Sequence, residues 1–373
     1  MERENFSIEI EGEEVTDLYT DLISLEVELD DDLAGMFRMR VAMMLQPDGT
    51  WTYLDDERFA AWKKVTVSAG FESTEELFIG YITHVKPNFD CDPSKCSLDV
   101  WGIDGSVLMD REEKLKEWPN QKDSDIASQI FEDPLYGLTP EVENTEVIHD
   151  EAVSTILQRE TDMQFLKRLA LRNGFECYVE GKTGYFRKPQ VGATPQPVLA
   201  VHFGDETSVR NFSMEVNAVT PANVVMLQVD QTEKEVLKTS AVPSQQKALG
   251  GTDATGLLPP GMNPAQIYVG MSAATGSSEM SALSQALYNE GEWFVTAEGE
   301  IVGNQYGHVL RNRGTVTIKG IGETYSGVYY VNHVTHSFTL CGYTQFFKVK
   351  RNALLTTGSE DFSASSSLLS GLT

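Results

Sequence analysis

The nine residues from Tyr81 to Phe89 (YITHVKPNF) recur without a gap as Tyr330 to Phe338 (YVNHVTHSF), 249 positions later. Tyr81, His84, Val85 and Phe89 are matched by the identical Tyr330, His333, Val334 and Phe338, and Ile82 by Val331. Ahead of each copy lies a similar strand-like run at slightly different spacing, Val65-Thr66-Val67 then Gly70, and Val316-Thr317-Ile318 then Gly320. After each comes another, Cys96 to Trp101 and Tyr343 to Val349. Chance similarity between two amphipathic strands is the alternative, since strands draw on a small alphabet of residues. The shared order of motifs and flanks favours duplication. Two β-units of like design are then expected in one chain. Three copies of such a chain can close a ring that is pseudo-sixfold although its true symmetry is threefold.

The local pattern agrees with a mainly β chain carrying an α+β insert. Short alternating runs fill residues 1–105: Phe6 to Ile10, Leu22 to Leu29, Met36 to Met43, Val65 to Ala69, Leu77 to Val85 and Cys96 to Trp101, bounded by turns such as Pro47-Asp48-Gly49 and Asp92-Pro93-Ser94. They read as antiparallel strands of a barrel or sandwich. Residues 106–198 change to mixed structure. Asp123 or Ser124 is a candidate cap for a helix with the stripe Ile126, Ala127, Ile130 and Phe131. Thr161 with Gln164 resembles a capping box, Phe165, Leu166 and Leu169 make the next stripe, and Gly174 stands where a C-terminal cap belongs. Strand character returns over 199–240 and 293–355. Between them, 241–292 is read as a loop and short helix insertion: Pro243 to Pro264 lacks any period and reads as extended or mobile, and Met280, Leu283 and Leu287 mark the helix. Residues 356–373 read as a flexible tail.

A chain of 373 residues is expected to hold more than one packed unit. With 56 acidic against 29 basic residues its formal charge is -27. That charge argues against nucleic-acid recognition by phosphate neutralisation and against anionic membrane surfaces. Solubility accounts for such an excess, and an acidic lumen in an assembly is the functional alternative. No apolar run is long enough to span a membrane, so no stable membrane insertion is expected. Met1-Glu2-Arg3-Glu4-Asn5 opens on charge rather than on a basic start and apolar core, so synthesis in the cytoplasm is expected.

Catalytic signatures are sparse. No HExxH, Walker loop or complete dinucleotide fingerprint occurs; Gly320-Ile321-Gly322 has Tyr325 where a third glycine would stand. Gly270-Met271-Ser272-Ala273-Ala274 lacks the last glycine of a nucleophile elbow. His333 and His336 fall on opposite faces of a strand and so make a poor chelate. Cys91 and Cys96 flank one turn without a second pair and read as free thiols; with Cys177 and Cys341 they are too few in so long a chain to make a disulfide framework. Acidic pairs are too many to inform on glycoside hydrolysis. Neither catalytic, cofactor nor metal residues are assigned.

With these segments in view, the chain resembles the late-control D hub proteins of contractile phage tails and the N-terminal part of VgrG proteins of type VI secretion. The most specific stretch is Glu160-Thr161-Asp162-Met163-Gln164-Phe165-Leu166-Lys167-Arg168-Leu169-Ala170 with Gly174-Phe175, in which Glu160, Asp162, Phe165, Leu166, Arg168, Leu169 and Gly174 carry the likeness. Gln158-Arg159 resembles the lead-in, one residue shorter. Gly327-Val328-Tyr329-Tyr330-Val331 with Val334 and His336 is similar to a late strand of that family, Gly342-Tyr343-Thr344 and Arg351-Asn352 to its closing strand, and Leu77 to Ile82 with Trp101-Gly102-Ile103-Asp104 to an early one. The resemblance implies two tube-type β-barrels, at 1–105 and at 199–240 with 293–355, flanking the α+β region and assembling as a trimeric ring. It implies a non-enzymatic baseplate hub that adapts a sixfold tail tube to a threefold spike in a virion or phage-tail-like particle. Implied partners are two further copies, the inner tube ring above, a separate spike protein below and the surrounding baseplate proteins, with no cofactor. VgrG proteins continue into an OB-like domain and a β-helical spike, whereas this chain stops after the second barrel, which implies that the spike is another polypeptide. Two rivals stand beside this reading: a tail-associated peptidoglycan hydrolase, and a β-rich receptor- or carbohydrate-binding module. The second would favour clustered aromatics, and Trp51, Trp62, Trp101, Trp118 and Trp293 are scattered.

Overall fold

Leu25, Val27 and Leu29 alternate with Glu26, Glu28 and Asp30, and Phe37, Met39 and Val41 alternate with Arg38 and Arg40. A period of two with one apolar face dictates paired strands over a core, and the computed structural model shows them so. It describes residues 5–71, 73–152, 155–219, 222–229, 234–240, 246–270 and 276–363. Strands of five or more residues are β1 (Asn5–Ile10), β2 (Leu22–Asp30), β3 (Met36–Ala42), β4 (Lys64–Gly70), β5 (Thr74–Asn88), β6 (Ser97–Asp104), β7 (Glu176–Glu180), β8 (Thr183–Arg187), β9 (Gln196–Ala200), β10 (Val209–Val216), β11 (Ala222–Val229), β12 (Val236–Ser240), β13 (Ala265–Val269), β14 (Val295–Val302), β15 (Thr315–Lys319), β16 (Gly327–Thr339) and β17 (Gly342–Arg351). The longer helices are α1 (Asp123–Phe131), α2 (Asp162–Asn173) and α3 (Ser277–Gly291). The protein is mainly β, with few helices and a large, chiefly antiparallel sheet.

One 13-stranded sheet runs through both halves of the sequence. Its first part pairs in the order β2-β3-β6-β5-β4-β1 and its second in the order β10-β14-β17-β16-β15-β9, and β2 against β16 joins them. The two orders correspond strand for strand. The one difference in direction is at the end, where β1 is antiparallel to β4 and β9 parallel to β15.

Irregularities correspond as well. The β5–β6 ladder shifts register between Ile82 and His84, and the β16–β17 ladder between Val331 and His333, the aligned residues. The β2–β3 ladder shifts between Leu22 and Ser24, the β10–β14 ladder between Val209 and Asn211. Just before β4 and β15, Trp62 and Arg313 both take left-handed backbone, φ 72° and 56°. Left-handed φ costs a non-glycine residue roughly 1 kcal/mol, so its presence at matching positions is a shared design and not a random defect.

Each part has its own core. Leu25, Val27, Phe37, Met39, Val67, Ile82 and Val100 belong to the first, and Phe294, Ile301, Val316, Tyr329, Val334 and Phe347 to the second. A third core, around Trp118, Phe131, Phe165, Leu166 and Phe186, lies between α1, α2 and the β7–β8 hairpin. There Thr161 accepts the Gln164 amide at 3.3 Å, and Gly174 closes α2 at φ 66°. At α1 the structure corrects the expected cap. The helix begins at Asp123 after Lys122, with no side-chain cap bond. The Asp123 carboxylate instead meets His149 Nε2 at 2.9 Å and accepts from Asn173 at 2.7 Å. With those two buried partners on its oxygens, the carboxylate makes no bond to a helix amide.

The described part of 243–264 is also corrected. Arg351, fully buried, donates through Nε and an Nη to the Leu249 carbonyl at 3.0 and 2.9 Å, and the Asn352 side chain accepts the Leu249 amide at 2.9 Å. Thr252–Asp253 then pairs with Ala353–Leu354. Around Leu249 and Thr252–Asp253 the backbone is thus held by the end of β17 and the residues after it and is not free. Within α3 Met280 is buried, while Leu283 and Leu287 are half-buried. Of the other sequence readings, residues 1–4, the elbow-like 271–274, residues 243–245 and the tail beyond 363 lie outside the described residues.

Candidate assembly interface

The pairing of β2 with β16 is where the two parts of the sheet meet, and the second copy of the repeated motif builds it. Leu29 stands opposite Val334, Val27 opposite His336 and Leu25 opposite Phe338. Leu25, Val27 and Val334 have no exposed surface and Phe338 keeps 3%. Phe338 stacks on Tyr343 with ring centroids 4.4 Å apart and meets Phe6 at 5.1 Å, so β16 carries a ring into the first core. Burying a side chain of this size stabilises by about 2 kcal/mol or more.

Polar groups fix the register. His333 Nδ1 lies 2.9 Å from Asp30 Oδ2, and Nε2 lies 3.1 Å from the Thr335 hydroxyl. Burial alone would raise the Asp30 carboxyl, but the His333 ring and the amides of Leu33 and Asp32 together hold it well below the usual carboxylate range. Lys350 Nζ donates to Asp31 at 2.8 Å, and the Asp31 amide donates to the Asn332 carbonyl at 2.8 Å. His336 turns to the Tyr343 hydroxyl, 2.8 Å away; burial and then the charge of Arg311 push its ring down to about 3, so it is neutral. His333 and His336 thus serve different partners. Among the described residues no group of three His, Cys, Asp or Glu side chains could hold a metal ion.

Tyr330 ties this junction to the insert. Its hydroxyl donates to Glu176 Oε1 at 2.5 Å, and its ring stacks on Trp293. Burial raises the Glu176 carboxyl to about 7 despite that hydrogen bond and the nearby cations. Arg313 donates to the Asp30 carbonyl and lies over the Tyr178 ring, 3.8 Å from its centroid.

The first copy of the motif sits differently. Tyr81 pairs with Lys64 and is half-buried; His84 stacks on Trp101 with centroids 5.2 Å apart. Val85 and Phe89 are 40% and 58% exposed, and Phe89 touches the Trp51 ring edge-on at 5.4 Å. Beyond Ile82, among the described residues, β5 pairs with β6 on one side and with no strand on the other.

The α2 stretch is built for packing. Phe165, Leu166 and Leu169 are fully buried in the third core. Asp162 is buried too; desolvation opposes its charge, but Lys114 at 2.5 Å, Tyr136 at 2.6 Å and Gln158 at 2.7 Å hold its carboxyl below the usual range. Arg168 pairs with Glu160 at 2.7 Å and donates to the Leu157 carbonyl at 3.0 Å. Neither this stretch nor the strand motif brings a nucleophile and a base together. Sequence reasoning named Arg351 only within a closing-strand likeness and missed its hydrogen bonds, Glu176 and the Asp30 and Asp31 partners of β16. An arginine as the last residue of a buried strand was the one available signal.

All four cysteines are free thiols; Cys96 and Cys177 are buried, Cys91 and Cys341 exposed. No described helix is long and apolar enough to cross a membrane.

Comparison with known proteins gives the following. The Alg8 N-terminal domain family matches residues 2–339. No curated protein matches the sequence. Among solved structures, the 43 kDa tail protein of prophage MuSo2 from Shewanella oneidensis is similar at TM-score 0.69 and 14% identity, covering 94% of this chain and 99% of its own. A tail protein from Neisseria meningitidis MC58 is similar at 0.67 and 12%, covering 94% and 97%. The E. coli c3393 protein, a component of the type VI secretion system with structural similarity to the T4 tail proteins gp27 and gp5, gives 0.53 and 11%, covering 93% and 76%. At these identities the likeness is one of fold: this chain shares the fold of these phage-tail and type VI secretion proteins.

Proposed function

The chain belongs to the Alg8 N-terminal domain family, and from its fold we propose that it is a structural, non-enzymatic subunit of a phage-tail or injection-system baseplate. In this reading it is a homotrimeric hub of the late-control D type, matching a sixfold tail tube above to a threefold spike, a separate protein, below. Surrounding baseplate proteins complete its contacts, and its place is in a virion or phage-tail-like particle after synthesis in the cytoplasm. The observation that carries the reading is the pair of six-strand units, alike in strand order and in two register shifts at matching places. Three chains offer six such units, which supports sixfold matching from a threefold ring. The fold shared with tail proteins supports the structural role. We also propose the division into barrels at 1–105 and at 199–240 with 293–355, an insert at 106–198, an insertion at 241–292 and a tail at 356–373.

Native mass measurement of the purified protein tests this. Three copies are expected, and a particle assembled with tube and spike proteins should contain three per baseplate. A protein that remains monomeric at every concentration, and joins no particle, would overturn it. A cell-wall zymogram is expected to show no lysis by this chain.

A further inference from the structure

The molecule contains one complete junction between its two like units and the two unmated halves of another. Aligned through their ladders with β3 and β14, β2 and β10 correspond residue for residue: Leu25 to Phe212, Val27 to Met214, Glu28 to Glu215, Leu29 to Val216 and Asp30 to Asn217. Likewise β16 corresponds to β5 through their ladders with β17 and β6. Inside the chain β2 pairs with β16. Its counterpart β10 is the terminal strand of the sheet, with only an isolated bridge from Val209 to Val201 on its outer side among the described residues. The counterpart of β16, β5 from His84 onward, is open on the matching side.

We propose that β10 of one copy pairs antiparallel with residues 84–89, the end of β5 and the residue after it, in the next copy, reproducing between chains the junction that β2 and β16 make within one. This rests on the trimeric reading, which sets how many copies close the ring. Transferring the observed register puts Asn217 opposite His84, Val216 opposite Val85, Glu215 opposite Lys86, Met214 opposite Pro87 and Phe212 opposite Phe89.

Three properties of these edges fit that partner. Burial is incomplete on both in a complementary way: Phe212, Met214 and Val216 are only partly buried where Leu25 and Val27 are sealed, and Val85 and Phe89 are exposed where Val334 and Phe338 are covered. Charge is complementary, since Lys86 and Glu215, both exposed, face each other directly, an arrangement that favours cross-strand pairing. Selectivity is supplied by Pro87. The Asp31 amide donates to Asn332, and alternation along the ladder then turns the amides of Val334, His336 and Phe338 toward β2. The aligned residues are Val85, Pro87 and Phe89, so the open edge offers no donor at its centre. Such an edge resists pairing with arbitrary strands and needs the matching side chains of β10.

Lys86 and Glu215 fall at a non-hydrogen-bonded pair, where opposite Cβ atoms come close enough for a disulfide. The test uses the full chain with Cys91→Ser and Cys341→Ser, carrying Lys86→Cys and Glu215→Cys. Mild oxidation is expected to yield a closed three-chain species on non-reducing gels, about tenfold more than Lys86→Cys with Ser213→Cys gives. Because residues 86, 213 and 215 are exposed, unchanged unfolding midpoints under reduction will show that the variants fold. A trimer by mass that cross-links no better at 86/215 than at 86/213 overturns the strand junction and leaves the trimer standing. A protein that is monomeric by mass overturns both. In the uncross-linked protein, Lys86→Glu should weaken assembly about fivefold and the added Glu215→Lys restore it, from roughly 1 kcal/mol per cross-strand charge pair; no rescue counts against the register.

Discussion

Two copies of one strand motif lie in this molecule in opposite circumstances. In β16 the copy is walled in, with β17 on one side and β2 on the other, and its Val334 and Phe338 are sealed. In β5 the same residues, Val85 and Phe89, face solvent. The backbone is shared down to the bulge, so neither strand propensity nor local sequence decides burial. What decides it is whether a neighbour with the right apolar row is present. Sequence likeness between the copies therefore reports backbone design, and burial reports assembly.

The comparison can be broken most forcefully at the ring that closes each copy. Phe338→Ala should cost about 3–5 kcal/mol of stability in denaturant unfolding, because it empties a packed site. Phe89→Ala in the isolated chain should cost under about 1 kcal/mol; equal losses would mean that β5 is covered after all. Next in size is a pH effect confined to the second copy. Glu176 is protonated in the folded protein up to about pH 7 but in the unfolded chain only up to its ordinary value near 4.5. The folded state therefore binds the extra proton, and stability should fall by up to about 3 kcal/mol as pH rises from 4.5 through 7. Glu176→Gln should flatten that slope in urea titrations. Third, His333→Ala should cost about 1–3 kcal/mol by leaving Asp30 without its ring partner, against about 0.5 kcal/mol for His84→Ala, which loses an exposed stack on Trp101 and an exposed hydrogen bond to Thr83. Smallest of all, Trp62→Gly should relieve roughly 1 kcal/mol of left-handed strain, partly offset by its lost contact with Arg111. Arg313→Gly relieves the same strain but forfeits the bond to Asp30, and should come out destabilising.

Much of the fold was legible in sequence because its signals are local. Alternation located the early strands to within a few residues, and Thr161 and Gly174 marked both ends of α2. The repeat pointed to two like units, and the register shifts at Ile82 and Val331 fall where it aligns them. What stayed hidden depends on distant partners. Asp123 looked like a cap because sequence does not reveal His149 and Asn173 waiting beside it. The stretch around Leu249 looked loose because its partners Arg351 and Asn352 lie about a hundred residues on. The exposure of Val85 could not be read from its own residues, since the like motif is buried elsewhere.

The paired bulges at Thr83 and Asn332 carry one more consequence. A bulge bends its strand by a set amount, so each unit brings its own angular increment, written into one extra residue. Where such increments repeat around a closed path, small errors in each accumulate before the ends meet. Holding the extra residue at the same place in both copies makes those errors equal, and equal errors spread as a slight change in diameter. Deleting Thr83 alone would leave Asn332 bending by itself, and the mismatch would gather at a single seam.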